Sequence, residues 1–569
     1  MPPLLSIENL SINFRQEGNI QAAVKNISFQ LFPGEITAIV GESGSGKSVT
    51  ALSLLQLLPA GATTEGLALF QPDQNEAVAL LEAPAERMQK IRGNQIAMIF
   101  QEPMTSLNPV LSCGQQVMEA ILLHQPVSRA EAKLQVLSLF EKVQLPDPAA
   151  VFKRYPHQLS GGQKQRVVIA MAMSCHPALL IADEPTTALD VTVQKNILDL
   201  IARLQREEQM AVLLVTHDLG VVADIANRII VMYKGEIVEQ GPAASILQSP
   251  DHNYTRALLA CRPAGKPRGQ RLPVVSDFMN PGQEKEEKPL PPVSQHPQKE
   301  ELNNPVLIVE DLCVSYPAQK NFWGKPLSWF HAVDHVSFAV GKGETVGLVG
   351  ESGCGKTTLG RTVLQLIKPG SGRILLNGRD ISREKPATLR RLRKDLQIVF
   401  QDPYGSLDPR ITIGEAILEP LKVHGLLHSN SQRKEKVMAL LEKVSLNSSH
   451  FNRYPHQLSG GQRQRICIAR ALATGPSFLI FDESVSALDV SVQAQVLNLL
   501  DDLKKELGFS AIFISHDLAV VHHICDRILV MQQGRIVEEG TATAIYHHPQ
   551  QEYTRQLINA IPGKKLIVS

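Results

Sequence analysis

Two short glycine-rich stretches have the residue types and spacing needed to hold phosphate groups. They are GESGSGKS at residues 41–48 and GESGCGKT at residues 350–357. Each follows a β-branched apolar segment and precedes a helical pattern, so the glycines would let backbone N–H groups wrap phosphate oxygens. A chance glycine-rich turn is the alternative, and its recurrence in the same context argues against it. The predicted phosphate-binding residues are Gly41, Ser43, Gly44, Gly46, Lys47 and Ser48 in the first stretch and Gly350, Ser352, Gly353, Gly355, Lys356 and Thr357 in the second, with Ser48 and Thr357 as Mg²⁺ ligands.

Two acidic pairs complete the requirements for phosphoryl transfer to water. Asp183 and Glu184 follow the apolar run ALLIA, and Asp482 and Glu483 follow FLIF. Such runs predict buried parallel strands. At the strand ends the two aspartates would bind Mg²⁺ through water, and the two glutamates would orient or deprotonate the attacking water. The alternative for each pair is a solvated turn.

The segment LSGGQ occurs at residues 159–163 and 458–462, and each copy opens a helical pattern. Its serine is a predicted N-cap, and the glycines leave backbone N–H groups free to bind an anion. Because each half already has a phosphate loop, this second phosphate-binding element makes sense if it faces the nucleotide held by the other half. An ordinary capped helix is the alternative. The residues concerned are Ser160, Gly161 and Gly162, and Ser459, Gly460 and Gly461.

Three further pairs recur at matching places in the two halves. His217 and His516 follow apolar strands and are predicted to contact the γ-phosphate, although a lone histidine there is more often structural. Gln101 and Gln401 also follow strands, where the amide would touch Mg²⁺ and the attacking water. Aromatic residues stand upstream of each phosphate loop and are predicted to stack on adenine, with core packing as the alternative; they are Phe14 and Tyr316.

The elements that position these residues form a duplicated chain. The motifs recur in the same order about 300 residues apart within 569 residues, so the sequence contains two copies of one domain. Hydrophobic residues make up 43% and charged residues 20%, with a net charge of +1, which argues against a strongly electrostatic nucleic-acid binder. There is no clean apolar stretch of about 18 residues and no signal-peptide pattern. The seven scattered cysteines fit a reducing cytoplasm.

Composition also predicts the domain boundaries. Residues 263–304 are rich in proline, glycine, glutamine and charge and have little periodicity, which is typical of a linker. The predicted organisation is therefore a first domain at residues 1–262, the linker at 263–304, and a second domain at 305–569. A flexible linker of this length would let the two domains meet face to face.

Taken together, these motifs resemble those of the ATP-binding-cassette (ABC) ATPases in both halves. The phrases QEPMTSLNP, QDPYGSLDPR and RYPHQLSGGQ, and the two tails containing NYTRALL and EYTRQLI, look like the oligopeptide/dipeptide importer branch. The fusion of two domains, with RICIARALA and DESVSALDV, looks most like its glutathione-importing members. The resemblance implies an α/β fold with two P-loop NTPase domains, each with a RecA-like core, an antiparallel β-subdomain and a helical subdomain. It also implies ATP and Mg²⁺ as cofactors, two membrane permeases and a solute-binding protein as partners, no nucleic acid, and a peripheral place on the cytoplasmic face of a bacterial inner membrane.

Several details depart from the family pattern or from the internal repeat. Ser484 and Val485 replace Pro185 and Thr186 of the first half, and we still expect two working sites. The cysteine pattern predicts no iron–sulfur cluster. Extra residues at 70–87 in the first half predict a surface β-loop. Cys354 lies in the second phosphate loop, and the neighbouring lysine predicts a reactive thiolate.

A second class of protein also combines two cassettes without membrane spans. Such proteins act on ribosomes or DNA, and the ribosomal type usually has a long, basic, helical linker. Here the linker contains EKEEKPLPPV, whose prolines and mixed charge disfavour that structure. DNA-repair types carry paired CxxC zinc sites, which this sequence lacks. The importer ATPase is therefore the preferred hypothesis.

Overall fold

The structure is a computed structural model. It describes residues 2–16, 19–72, 77–101, 106–187, 189–279, 305–320, 326–486 and 488–563. Most of the predicted linker, residues 280–304, lies outside this range. Among the described residues, no helix combines the length and apolar character that crossing a bilayer requires.

The first half begins with strands and continues into alternating strands and helices. Its strands are β1 Leu5–Gln16, β2 Asn19–Leu31, β3 Ile36–Val40, β4 Ala62–Phe70, β5 Val78–Ala79, β6 Ile96–Ile99, β7 Leu179–Asp183, β8 Ala211–Thr216, β9 Arg228–Tyr233 and β10 Glu236–Pro242. Its helices are α1 Lys47–Leu54, α2 Ala85–Ile91, α3 Cys113–His124, α4 Arg129–Lys142, α5 Pro148–Lys153, α6 Gly161–Ala172, α7 Val191–Glu208, α8 Leu219–Ile225, α9 Ala243–Gln248, α10 Asn253–Ala260 and α11 Val275–Met279.

The second half repeats this order. Its strands are β11 Leu307–Lys320, β12 Pro326–Val340, β13 Thr345–Val349, β14 Ser371–Leu376, β15 Arg379–Asp380, β16 Leu396–Val399, β17 Phe478–Asp482, β18 Ser510–Ile514, β19 Arg527–Gln532 and β20 Arg535–Thr541. Its helices are α12 Lys356–Val363, α13 Pro386–Leu392, α14 Ile413–Val423, α15 Asn430–Lys443, α16 Gly460–Leu472, α17 Val490–Leu507, α18 Leu518–Ile524, α19 Ala542–His547 and α20 Glu552–Asn559.

Each half contains one mainly parallel sheet and one antiparallel sheet. The six-stranded sheets have the orders β10-β9-β3-β8-β7-β6 and β16-β17-β18-β13-β19-β20, and the four-stranded sheets have the orders β2-β1-β4-β5 and β12-β11-β14-β15. The strands ITAIV and LLIAD are buried along their whole length, as a parallel strand covered on both faces must be. The carboxyl ends of β3, β7 and β8 meet at one edge of the first parallel sheet, and this edge carries the predicted site.

A helical subdomain, α3 to α6 in the first half and α14 to α16 in the second, lies between the sixth and seventh strands of each half. Its helices begin at well-formed N-caps. Ser112 accepts a hydrogen bond from the backbone of Gln115, whose side chain bonds back, and Thr412 and Glu415 do the same in the second half. The fold therefore has the three parts that the family resemblance implies: a parallel α/β core, an antiparallel β-subdomain and a helical subdomain.

The segment that follows the first domain is packed for part of its length. Residues 263–279 are described and include α11, and Leu272 and Val275 are buried in an apolar cluster that contains side chains of both halves. Burial of these two side chains favours docking of a segment whose composition is otherwise that of a linker. The predicted linker thus contains a docked part up to residue 279.

The extra residues of the first half lie at the edge of its antiparallel sheet. β4 ends at Phe70 and pairs with β5 at residues 78–79, whereas β14 and β15 are separated by only two residues. This agrees with the predicted surface β-loop, although residues 73–76 are outside the described range.

Candidate functional site

The two phosphate loops have the same closed shape. Lys47 Nζ donates hydrogen bonds to the carbonyls of Gly41 and Glu42, both at 2.8 Å. In the second half Lys356 Nζ makes the equivalent bonds at 2.7 and 2.9 Å. Gly46 has a φ of 101°, and a Cβ there would lie 2.7 Å from the carbonyl oxygen of Ala23. The loop therefore requires glycine at this position for both conformation and space.

The hydroxyl at the end of each loop contacts the aspartate at the end of a neighbouring strand. Ser48 Oγ donates to Asp183 Oδ1 at 3.0 Å, and Thr357 Oγ1 donates to Asp482 Oδ1 at 3.1 Å. Burial raises the pKa of Asp183 to about 6, although the bond from Ser48 partly opposes this. Burial likewise raises the pKa of Asp482. A hydroxyl and a carboxylate side by side are the hard oxygen donors that Mg²⁺ prefers, so the residues present fit that ion.

Glu184 lies one residue beyond β7, in a backbone conformation with a φ of 46°. Left-handed geometry costs a non-glycine residue about 1–2 kcal/mol. Three side chains hold its carboxylate: Gln101 Nε2 at 2.9 Å, Thr187 Oγ1 at 2.9 Å and His217 Nδ1 at 3.0 Å. Burial would raise the pKa of Glu184, but its bonds to these groups and the charge of His217 lower the pKa to about 2. The carboxylate is thus ionised and fixed in place.

Glu483 repeats this geometry, with fewer side-chain partners in the described part of the chain. Its φ is 48°, and Gln401 Nε2 donates to its carboxylate at 2.9 Å. His516 Nδ1 lies 3.5 Å from the carboxylate. Ser486, which occupies the place of Thr187, donates instead to the backbone carbonyl of Glu483 at 2.8 Å. The two acidic pairs are therefore positioned alike but held differently.

A cavity of about 1170 Å³ lies between the halves. Gly44, Glu184 and His217 of the first half line it, together with Ser459 and Gly460 of the second half. Gly461, Lys356, Glu483 and His516 also border it. The first phosphate loop and the second LSGGQ helix therefore face one space.

A hydrogen bond joins each phosphate loop to the opposite half. The backbone N–H of Ser352 donates to Asp190 Oδ2 at 3.4 Å. Ser491 Oγ donates to the carboxylate of Glu42. The charge of Asp489 also acts on the pKa of Lys47, which burial lowers. Each loop is thus contacted by the residues that follow the acidic pair of the other half.

The two LSGGQ helices have the predicted caps. Ser160 and Ser459 accept hydrogen bonds from the backbone N–H groups of Gln163 and Gln462, both at 3.3 Å. The described residues that line the cavity do not include Ser160, Gly161 or Gly162. A Cβ on Gly161 would lie 3.4 Å from the side chain of Leu189, the neighbour of Asp190, whereas one on Gly460, which lines the cavity, would meet nothing within 4 Å. The cavity thus brings Glu184 and His217 of the first half together with the LSGGQ residues of the second half. The second phosphate loop is joined to the first half through Asp190.

The two aromatic candidates differ in position. Tyr316 is 40% exposed and lines the cavity next to Phe330, which the sequence did not indicate. Phe14 packs against the apolar core of the first β-subdomain, which is the alternative considered for it. The stacking role therefore stays a prediction for both, with direct access to the cavity only for Tyr316.

The expectation of a reactive thiolate at Cys354 is wrong. The side chain is buried, and burial raises the pKa of the thiol, although the charge of Lys356 acts in the opposite direction. The loss of hydration outweighs the nearby positive charge in this setting. Cys354 fills space inside the loop as a small apolar side chain does.

The sequence motifs gave no role to two tyrosines in the C-terminal extensions. The backbone N–H of Glu42 donates to Tyr254 Oη at 3.0 Å, and that of Glu351 donates to Tyr553 Oη at 3.0 Å. The matching YTR triplets at residues 254–256 and 553–555 were the signal for this role. Each extension thereby holds the second residue of its own phosphate loop.

The comparisons with known proteins agree with this architecture. The family described as ABC transporter matches residues 24–187 and 333–486, and the C-terminal region of oligopeptide/dipeptide transporters matches residues 238–282 and 537–565. The glutathione import ATP-binding protein GsiA of Escherichia coli K12 is 50% identical over 566 residues, which cover 98% of this chain and 89% of that protein. The protein of the same name from Shigella flexneri matches to the same extent. The chain therefore belongs to the ABC transporter family, as a twin-cassette ATPase of its oligopeptide/dipeptide branch.

Proposed function

We propose that this chain hydrolyses ATP to drive import of a small peptide of the glutathione class through membrane permeases. The observation that carries the proposal is 50% identity over 98% of the chain to relatives named for glutathione import. The duplicated extension of the oligopeptide/dipeptide type supports a peptide importer over a cassette protein that acts on ribosomes or DNA.

The geometry suits hydrolysis of a nucleoside triphosphate by positioning and charge. Backbone N–H groups of the loop and Lys47 would bind the phosphates. Ser48 and Asp183 would hold Mg²⁺, which supplies charge neutralisation at the phosphates. Glu184 would orient the attacking water, because its low pKa keeps the carboxylate ionised and makes it a weak base, which suits positioning more than proton abstraction.

The same roles apply in the second half to Lys356, Thr357, Asp482 and Glu483. We infer that each set works against the LSGGQ helix of the other half. The shared cavity supports this for the first phosphate loop, and the bond between Ser352 and Asp190 supports a reciprocal arrangement for the second. The glutamines and histidines around each glutamate would sense the terminal phosphate through the carboxylate that they hold.

A groove in the second half offers a place for a permease segment. Its volume is about 690 Å³, and it is lined by Gln401, Asp402, Pro420 and Arg470. Arg470 donates to Glu419 at 2.9 Å and thereby connects α16 to α14. We infer that permease helices dock here, so that the chain lies at the inner face of the bacterial inner membrane and works with two permeases and a solute-binding protein.

Uptake of labelled glutathione tests the proposal. Cells that lack their own chain and carry its permeases should regain uptake with the native chain and not with the Glu184→Gln, Glu483→Gln variant, produced in equal amount. A labelled dipeptide without a γ-glutamyl group is the matched substrate. Restored dipeptide uptake without glutathione uptake would refute the glutathione class, and no restored uptake of either would refute the importer.

A further inference from the structure

A segment of the first half is seated on the second cassette. We call residues 268–279 the clasp. Leu272 is 2% exposed, and Asn498 of α17, which is 5% exposed, bonds to its backbone on both sides. The N–H of Leu272 donates to Asn498 Oδ1 at 2.9 Å, and Asn498 Nδ2 donates to the carbonyl of Leu272 at 2.8 Å. The side-chain amide of Asn498 therefore bonds to both backbone groups of Leu272, as the backbone of a neighbouring strand would. Because both residues are buried, water cannot replace these bonds.

Charge complementarity reinforces this contact. The guanidinium of Arg268 pairs with Asp526, whose other oxygen accepts from Lys504 at 2.8 Å and from the N–H of Thr345 at 2.7 Å. Burial would raise the pKa of Asp526, but the charges of Lys504 and Arg268 more than offset it and lower the pKa. Arg271 adds an exposed pair with Asp502 at 3.0 Å, which contributes little by itself.

The first cassette provides an internal comparison. The positions equivalent to Asn498, Asp502 and Asp526 hold Asp199, Arg203 and Asn227. Asp199 is exposed, and Asn227 Oδ1 accepts a hydrogen bond from the backbone N–H of Ile36 at 2.8 Å, its one side-chain bond among the described residues. The second cassette alone therefore has the amide and the two carboxylates that receive the clasp.

The clasp binds at the end of the sheet opposite the phosphate loop. Thr345, which shares Asp526 with the clasp, begins β13, and the loop follows the far end of that strand at Val349. No clasp residue is among the described residues that line the cavity. The clasp can therefore stay bound when the two ATP-site faces separate.

We propose that the clasp is an inter-cassette fastening that keeps the halves in one particle without the linker and without nucleotide. The contacts identify both partners of this interface. The clasp, from the first half, binds to α17 and to Asp526, the residue before β19, in the second half. Leu272 and Val275 belong to an apolar cluster with side chains of both halves, and the helix Val275–Met279 packs against α10 of the first half, which anchors the clasp there.

The test cuts the linker. A cleavage site for a sequence-specific protease is placed within residues 285–295, the full-length chain is purified and cut, and the dissociation constant of the halves is measured by sedimentation without nucleotide. Asn498→Ala should weaken association about tenfold or more, because a buried backbone N–H and a carbonyl lose their partners. The matched change Asp199→Ala, at the equivalent exposed position, should leave association within about twofold.

A second variant covers the case in which Asn498→Ala does not fold. Arg268→Glu places a negative charge beside Asp526 from a side chain that belongs to the clasp and not to either cassette core, and it should also weaken association about tenfold. ATP hydrolysis by the uncut variants shows that both cassettes are folded. The proposal is overturned if the cut native chain separates as readily as the variants, or if Asp199→Ala weakens association as much as Asn498→Ala.

Discussion

The two acidic pairs of this chain occupy the same place in the same fold and are held differently. Glu184 is fixed by three side chains, including Thr187, whereas Glu483 lies close to two, with its histidine 0.5 Å further away at 3.5 rather than 3.0 Å. Duplicated cassettes can therefore share a backbone and still differ in how tightly they hold the carboxylate that we propose positions water.

The difference arises in three residues after each glutamate. The first half has Pro185, Thr186 and Thr187, and the second has serine, valine and serine at residues 484–486. Thr186 accepts a hydrogen bond from Gln194 through its hydroxyl, whereas the equivalent Gln493 donates to the backbone carbonyl of Val485. The buried hydroxyl of Ser484 has no hydrogen-bond partner among the described residues. The turn after Glu483 thus has fewer of its polar groups in side-chain hydrogen bonds, and we expect the second site to hydrolyse ATP more slowly.

Loss of the glutamates gives the largest expected effect and the first test of this comparison. The Glu184→Gln, Glu483→Gln double variant should lose at least ~100-fold in ATP hydrolysis, because neither site can orient its water. Of the single variants, Glu483→Gln should keep more activity than Glu184→Gln, by about threefold. Steady-state phosphate release measures the rates of all three variants. Equal residual rates in the two single variants would contradict the proposed difference between the sites.

The tyrosines of the extensions should have the next largest effect. Tyr254→Phe keeps the ring, which packs against Tyr233, and leaves the N–H of Glu42 without an acceptor. ATP binding at the first site should weaken about tenfold, seen as a rise in KM with a smaller change in kcat.

Tyr553→Phe is the matched change at the second site. Tyr254 is fully buried and Tyr553 only half-buried, so Tyr553→Phe should weaken ATP binding less than Tyr254→Phe does. ATP titration of each variant, with the other site inactivated by its own Glu→Gln change, separates the two. An unchanged KM in Tyr254→Phe would show that the extension does not position the loop.

Removal of single hydroxyl groups sharpens the comparison further. Thr187→Ala deletes one of three bonds to the carboxylate of Glu184 and should lower kcat of the first site about fivefold. Ser486→Ala deletes only a bond to a backbone carbonyl, so kcat of the second site should stay within about twofold. A gain in the second site on Ser486→Thr would strengthen the account, and equal losses in the two alanine variants would contradict it.

The smallest effect is expected at the residue that distinguishes the two phosphate loops. Cys354 stands where the first loop has Ser45, whose buried hydroxyl has no hydrogen-bond partner among the described residues. Cys354→Ser should leave hydrolysis within about twofold and lower the free energy of unfolding by about 1 kcal/mol. Maleimide should label Cys354 slowly in the native chain, as mass spectrometry can measure, and fast labelling would restore the thiolate interpretation.

Motif and strand context were enough to place much of the site. An apolar strand followed by an acidic pair predicts carboxylates at the sheet edge that carries the phosphate loop, and Asp183 indeed contacts Ser48 across 135 residues. The redundancy of two phosphate-binding elements in each half predicted that the halves meet, and Ser459 and Glu184 line one cavity.

The remaining features depend on contacts that local sequence does not encode. The direction of the Thr187 and Ser486 hydroxyls depends on turn geometry, and the bond from Glu42 to Tyr254 joins residues 212 apart. At Cys354 a local rule predicted the wrong outcome because burial outweighed the neighbouring charge. The sequence did not predict the clasp, because two buried apolar side chains do not change the linker-like composition of the residues around them.

The central claim is that each ATP site is completed by the LSGGQ helix of the other half. The most direct measurement is ATP hydrolysis in a chain whose second site is inactivated by Glu483→Gln, so that the remaining rate reports on Lys47 and Glu184. Ser459→Arg should abolish that rate, and adding Lys47→Ala to it should cost nothing more. Ser160→Arg should leave most of the rate intact. The account is contradicted if Ser160→Arg abolishes the remaining hydrolysis while Ser459→Arg spares it, because each half would then complete its own site.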